Sequence, residues 1–115
     1  MERPGKKLIY ISGKYTGDID ENISIARTYA CELWEEGYAV ICPHLNTSHM
    51  ERDCKATYED FIEGDFEMVR RVDAVFMLPE WEMSKGANLE RRVALERNIP
   101  VFYTIKDINA WRDKR

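Results

Sequence analysis

The run Leu8-Ile9-Tyr10-Ile11-Ser12-Gly13 carries no charge and is closed by glycine. A segment apolar at consecutive positions, rather than at every second one, reads as a strand buried on both faces, the habit of parallel sheets. A helix follows it. Ile23, Ala26, Tyr29, Ala30, Leu33 and Trp34 recur at helical spacing, Asp18 or Asp20 can cap the start, and Gly37 is placed to end it. Tyr38 to Cys42 then reads as a second strand, stopped by Pro43. A helix opening at Tyr58 leads to a third strand, Ala74 to Leu78, closed by Pro79. A helix opening at Gly86 leads through Asn98-Ile99-Pro100 to a fourth strand, Val101 to Thr104, and Asp107 to Arg115 is a short basic-ended helix or tail.

Strands alternating with helices predict one α/β domain over residues 1–115, a three-layer Rossmann- or flavodoxin-like parallel sheet with helices on both faces. Right-handed crossovers limit the four strands to the order 2-1-3-4, which puts a ligand crevice at the C-terminal ends of the first and third strands. The loops Gly13 to Asp20 and Pro79 to Lys85 border that crevice. Pro43 to Ala56 is polar and aperiodic, and long enough to read as a functional loop or lid.

Composition narrows the function classes. With 115 residues the chain can bury a core without staples. A net charge of −4, with basic residues dispersed among acids, offers no field for a nucleic-acid polymer. The short uncharged stretch before Gly13 is too brief for a signal peptide or a membrane span, so a cytoplasmic protein is expected. Cys31, Cys42 and Cys54 form no C-x-x-C pair and leave an odd number, against a disulfide framework; Cys54, in a polar loop, is the candidate reactive thiol. His44 and His49 lack the spacing of a zinc site, so no metal is expected, though both can touch a ligand.

Two carboxylates stand where an ordinary helix would carry leucine. Asp65 falls among Tyr58, Phe61, Ile62, Phe66, Val69 and Val72, and Glu90 among Ala87, Leu89, Val93 and Ala94, at about 100° per residue. A lone buried carboxylate costs several kcal/mol, so each is paired, neutralised or functional. One alternative pairs Glu90 with Arg91 or Arg97 and Asp65 with Arg70 or Arg71. The other makes them a catalytic pair at the crevice, one acid attacking an anomeric carbon and the other, its pKa raised by burial, serving the leaving group.

Several neighbours suit a nucleotide. Ser84 opens the helix beyond the third strand, where free amides near Gly86 and Asn88 favour an anion; it also reads simply as an N-cap. Ser12 and Gly13 end the first strand, and a glycine there lets backbone approach a ligand. Tyr15 and Trp81, both on loops, offer flat faces to a base.

Ile9-Tyr10-Ile11-Ser12-Gly13, the Asp65 helix ending in Val72-Asp73-Ala74-Val75, and Leu78 to Glu90 with its Gly86-x-x-x-Glu90 together resemble the nucleoside 2-deoxyribosyltransferase-like superfamily, chiefly its small bacterial and phage members. The resemblance implies that Glu90 is the nucleophile forming a covalent glycosyl-enzyme intermediate, and that Asp65 helps the base depart. It implies no cofactor, a small-molecule nucleotide or nucleoside as partner, and a homo-oligomer, because better-known members complete each site with a neighbouring subunit's residue. Serine at position 84, where relatives acting on free nucleosides carry an acid, implies a nucleoside or deoxynucleoside 5′-monophosphate N-glycosidase. Base exchange by a nucleoside 2-deoxyribosyltransferase, or a non-catalytic nucleotide sensor, are the other functions to be weighed.

Overall fold

A computed structural model describes residues 5–114. Four parallel strands, β1 (Leu8–Ser12), β2 (Ala39–Ile41), β3 (Ala74–Met77) and β4 (Val101–Phe102), lie in the order β2-β1-β3-β4. The helices are α1 (Ile19–Glu35), α2 (Pro43–Asn46), α3 (Tyr58–Val69), α4 (Lys85–Glu96) and α5 (Ile105–Asp113). The three layers and the strand order are those the crossover rule predicts. No helix among the described residues is long and apolar enough to cross a membrane.

Alternation along the central strands builds two cores. Ile9 and Ile11 of β1, with Phe76 and Leu78, pack against Ala26, Ala30 and Leu33 of α1 and Ile108 of α5. Tyr10, with Val75 and Met77, faces the other layer, against Val69 of α3 and Ala87 and Ala94 of α4. Since successive side chains of a strand point to opposite faces, Ser12 shares the Tyr10 face. The edge strand β2 is half-buried throughout, and its outer side has no strand partner among the described residues.

Local chemistry sets the helix ends. The Asp18 side chain accepts from the Glu21 amide at 3.1 Å to cap α1, and Gly37, at φ +100°, takes the left-handed turn that ends it. Thr57 and Asp60 exchange hydrogen bonds as a capping box on α3. Ser84 caps α4 by accepting from the Ala87 amide at 3.1 Å.

The stretch expected to be an aperiodic loop holds α2 and a 3₁₀ turn, Met50–Arg52. Proline at the first position of α2 has no amide to leave unpaired, and four residues are too few to show a helical period. The last helix starts at Ile105, two residues before the expected Asp107, because Thr104 caps it through the Asp107 amide.

Candidate active site

Glu90 is 6% exposed and lies in line with Ala87 and Ala94 on the inner side of α4. Two strand side chains hold it. Ser12 Oγ donates to Glu90 Oε1 at 2.6 Å, and the Tyr10 hydroxyl donates to Oε2 at 3.0 Å. Residues two apart on β1 project on one face, so one strand supplies both donors, about 7 Å apart along the backbone. Asp65, half-buried on α3, is in hydrogen-bonding contact with Glu90, the Glu90 carboxyl giving and Asp65 accepting.

Among the described residues no arginine neutralises the pair. Arg70 and Arg71 are spent on Glu67, and Arg91 reaches the Tyr103 hydroxyl at 2.7 Å. Among the described residues neither carboxyl has a basic partner, so the ion-pair alternative falls. Burial pushes both acids above the usual carboxylate range. For Glu90 desolvation is the largest cause; the Ser12 and Tyr10 bonds pull it down and the Asp65 charge pushes it further up. For Asp65 desolvation again leads, opposed by the bond from Glu90. Burial raises both acids, Glu90, the deeper, more strongly than Asp65, so a proton shared by the pair is favoured on Glu90.

The pair forms the floor of a cleft of about 600 Å³. Gly13, Tyr15, Thr16 and Ile19 make one wall, and Met83 to Ala87 another; Tyr58, Phe61 and Ile62 of α3 make a third. Pro43, His44, Thr47 and Glu51 close it as a lid. The lid is tied down at two points: His44 Nε2 donates to the Lys14 carbonyl at 2.7 Å, and the His49 amide donates to the Tyr15 hydroxyl at 2.9 Å. An N–H that bonds a carbonyl carries the proton, so Nδ1 of the neutral ring is bare, and it is the one buried side-chain polar atom without a partner among the described residues. Burial lowers the His44 pKa and keeps the ring neutral.

Gly13, Tyr15, Ser84, Gly86, Asp65 and Glu90 of the expected site all line this cleft. Ser12 acts from beneath, through Glu90. Trp81 and Asn88, expected at the ligand, lie outside it. Trp81 packs on the Tyr103 ring at 5.7 Å with the Arg91 guanidinium over its face, because the 3₁₀ turn Trp81–Met83 rolls its first side chain onto the β4 end. The Asn88 amide donates to the Glu82 and Ser84 carbonyls at 3.0 and 2.8 Å, bracing the start of α4. Gly13 also has a second reason: a Cβ there would stand 2.7 Å from Leu78 Cβ, so close packing requires the glycine. At Gly86 a Cβ would meet only ordinary contacts with Ile62 and Ser84, at 3.6 and 3.9 Å.

Sequence reasoning expects a loop or lid over Pro43 to Ala56 but misses Tyr10 and which lid side chains face the cleft. Tyr10 was legible, since it stands two residues before Ser12. The lid side chains follow no period, and nothing in their order announces that His44, Thr47 and Glu51 share a wall. Among the described residues no group of three or more His, Cys, Asp or Glu side chains is arranged to hold a metal ion.

The sequence model of a family described as "Domain of unknown function (DUF4406)" matches residues 7–103. Among solved structures the chain is similar to the "Crystal structure of conserved protein from Enterococcus faecalis V583", with 19% identity and a TM-score of 0.65 over 84% of this chain. At that identity the likeness concerns the fold, and the chain spans 62% of that protein's length. No curated protein matches the chain.

Proposed function

This chain belongs to the DUF4406 family, whose function is unknown, and we propose that it hydrolyses the base–sugar bond of a nucleoside or deoxynucleoside 5′-monophosphate. The observation that carries the reading is the pair Glu90 and Asp65: two carboxyls in contact on the floor of a cleft, with no ion-pair partner among the described residues and one carboxylate held at both oxygens. A structural role would be served at lower cost by leucine. Two acids in different surroundings are the machinery of glycosidic cleavage with retention.

In the proposed sequence the shared proton passes from Glu90 to Asp65 as substrate fills the cleft, a single hop between groups already in contact. The Glu90 carboxylate then attacks C1′. The bond between C1′ and the base nitrogen breaks, its electron pair leaves with the base, and Asp65 gives that nitrogen its proton. Water next attacks C1′ of the glycosyl ester and yields its proton to Asp65, releasing the sugar 5-phosphate and restoring Glu90 as a carboxylate. Ser12 and Tyr10 fix the attacking oxygens by bonding the charged form.

The 5′-phosphate is assigned to the start of α4. Ser84 Oγ accepts from the Ala87 amide, which leaves its hydrogen to donate into the cleft beside the helix dipole, and Lys85 is the only cationic side chain lining the cleft among the described residues. No cofactor enters any step. A homo-oligomer accompanies this reading, since β2 leaves a sheet edge to be covered.

Incubation of the purified chain with ribo- and deoxyribonucleoside monophosphates, followed by chromatography of free base, tests the assignment. Release is expected from at least one nucleotide, abolished by Glu90→Ala and reduced roughly 100-fold or more by Asp65→Asn. Release that survives Glu90→Ala overturns the mechanism. Exchange with an added free base identifies a transferase, and binding without release a sensor.

A further inference from the structure

Neither His44 nor Thr47 has a side-chain donor left for the cleft. His44 gives its Nε2 proton to the Lys14 carbonyl and the Thr47 hydroxyl gives its own to the Pro43 carbonyl at 3.2 Å, while Glu51 brings a carboxylate. All three residues line the cleft, so this wall offers it the lone pairs of a hydroxyl and a carboxylate, acceptors only, while the bare Nδ1 of His44 is itself buried. The donors lie elsewhere. Lys85 and the free hydrogen of Ser84 stand at the start of α4, and the other lining donors are the hydroxyls of Thr16, Tyr58 and Tyr15, the last of which accepts from the His49 amide and keeps its hydrogen.

A wall of acceptors discriminates by what it refuses. A carbonyl oxygen turned toward Thr47 and Glu51 would face lone pairs, losing its water without gaining a partner, whereas an amino group would satisfy them. Sites built to bond a polar group reject the analogue lacking it by more than they reject a change of size. We infer that the lid residues Thr47 and Glu51, backed by His44, select ligands whose heterocycle presents an exocyclic amino group, so that the bases released are cytosine, adenine or guanine rather than uracil, thymine or hypoxanthine. The inference rests on the N-glycosidase reading for its reaction, but the lid wall is a binding surface whatever the chemistry on the floor.

Matched substrates isolate it. The 5′-monophosphates of deoxycytidine and deoxyuridine differ at one exocyclic position and its ring neighbour, and those of deoxyguanosine and deoxyinosine by one amino group. The amino member of each pair is expected to have a kcat/KM higher by about ten-fold or more. Glu51→Gln, which adds an amide donor at an exposed position, and the isosteric Thr47→Val should both narrow the ratio, Glu51→Gln by improving the carbonyl member. Equal turnover within both pairs overturns the inference and leaves the N-glycosidase reading standing. If no nucleotide is cleaved, that reading has failed and calorimetric titration of the same pairs decides the inference alone: tighter binding of the amino members supports it, and equal or absent binding overturns it.

Discussion

Glu90 shows how much one buried side chain asks of its surroundings. Its carboxylate is tolerable beneath the cleft because Ser12 and Tyr10 each donate to one oxygen, and hydrogen bonds to a charged group are worth about 1.5–3 kcal/mol each. Ser12→Ala removes one such donor. Ionised Glu90 then becomes costlier, its pKa rises further, and the acid limb of the kcat/KM profile should move to higher pH with kcat down roughly 10- to 100-fold. An unshifted limb with reduced kcat would mean that Ser12 serves packing alone. The helical period exposed both Glu90 and Asp65 as misplaced in an apolar face, which is why the pair was legible in the sequence. Trp81 was not, because an aromatic on a loop looks the same whether it stacks on a ligand or on Tyr103.

Among the elements, α4 carries two tasks at one residue. Ser84 caps the helix with its oxygen and has its hydrogen left for the cleft, and substitution separates the two. Ser84→Gly should cost only about a few tenths of a kcal/mol in chemical denaturation, since glycine is tolerated as an N-cap, whereas Ser84→Ala should cost about 0.5–2 kcal/mol. Both lose the hydroxyl. Both should therefore lose preference for a nucleotide over its nucleoside to the same extent, about ten-fold; a loss that tracks the cap instead would remove Ser84 from phosphate binding. The strands, the long helices and the order of the sheet were readable because apolar runs and crossover handedness leave little choice. The lid was readable as a segment but not in its detail, since α2 is too short to show a helical repeat of apolar residues and the site-facing side chains are set by contacts with Lys14 and Tyr15, far away in sequence.

At the scale of the whole molecule the acid pair writes itself into stability. Glu90 and Asp65 hold their protons more tightly in the folded chain than in the unfolded one, where carboxyls titrate near about pH 4. Their contribution is thus full below that pH and is lost as pH rises through their folded values. His44 works in the opposite sense, buried neutral with a lowered pKa, so that folding is disfavoured as pH falls through the range where the unfolded histidine charges. Glu67 and Asp113, held down chiefly by their bonds to Arg71 and Arg112, lose stability only at more acid pH. Comparison of two proteins isolates the pair: Glu90→Gln should gain in Tm over the wild type as pH is raised from about 5 to about 8. A difference in Tm that stays flat over that interval would place the ionised form of Glu90 in no worse an environment folded than unfolded.

The alternation of β1, which sends Ile9 and Ile11 to one layer and Tyr10 and Ser12 to the other, ties assembly of the sheet to chemistry. A slip of one residue would drive two polar hydroxyls into the α1 layer and leave the Glu90 carboxylate facing isoleucine. No mispaired form can hold the Glu90 carboxyl at both oxygens. With Glu90 as the nucleophile proposed above, active-site titration would count correctly registered molecules one by one, making turnover a census of native sheets within a refolding population.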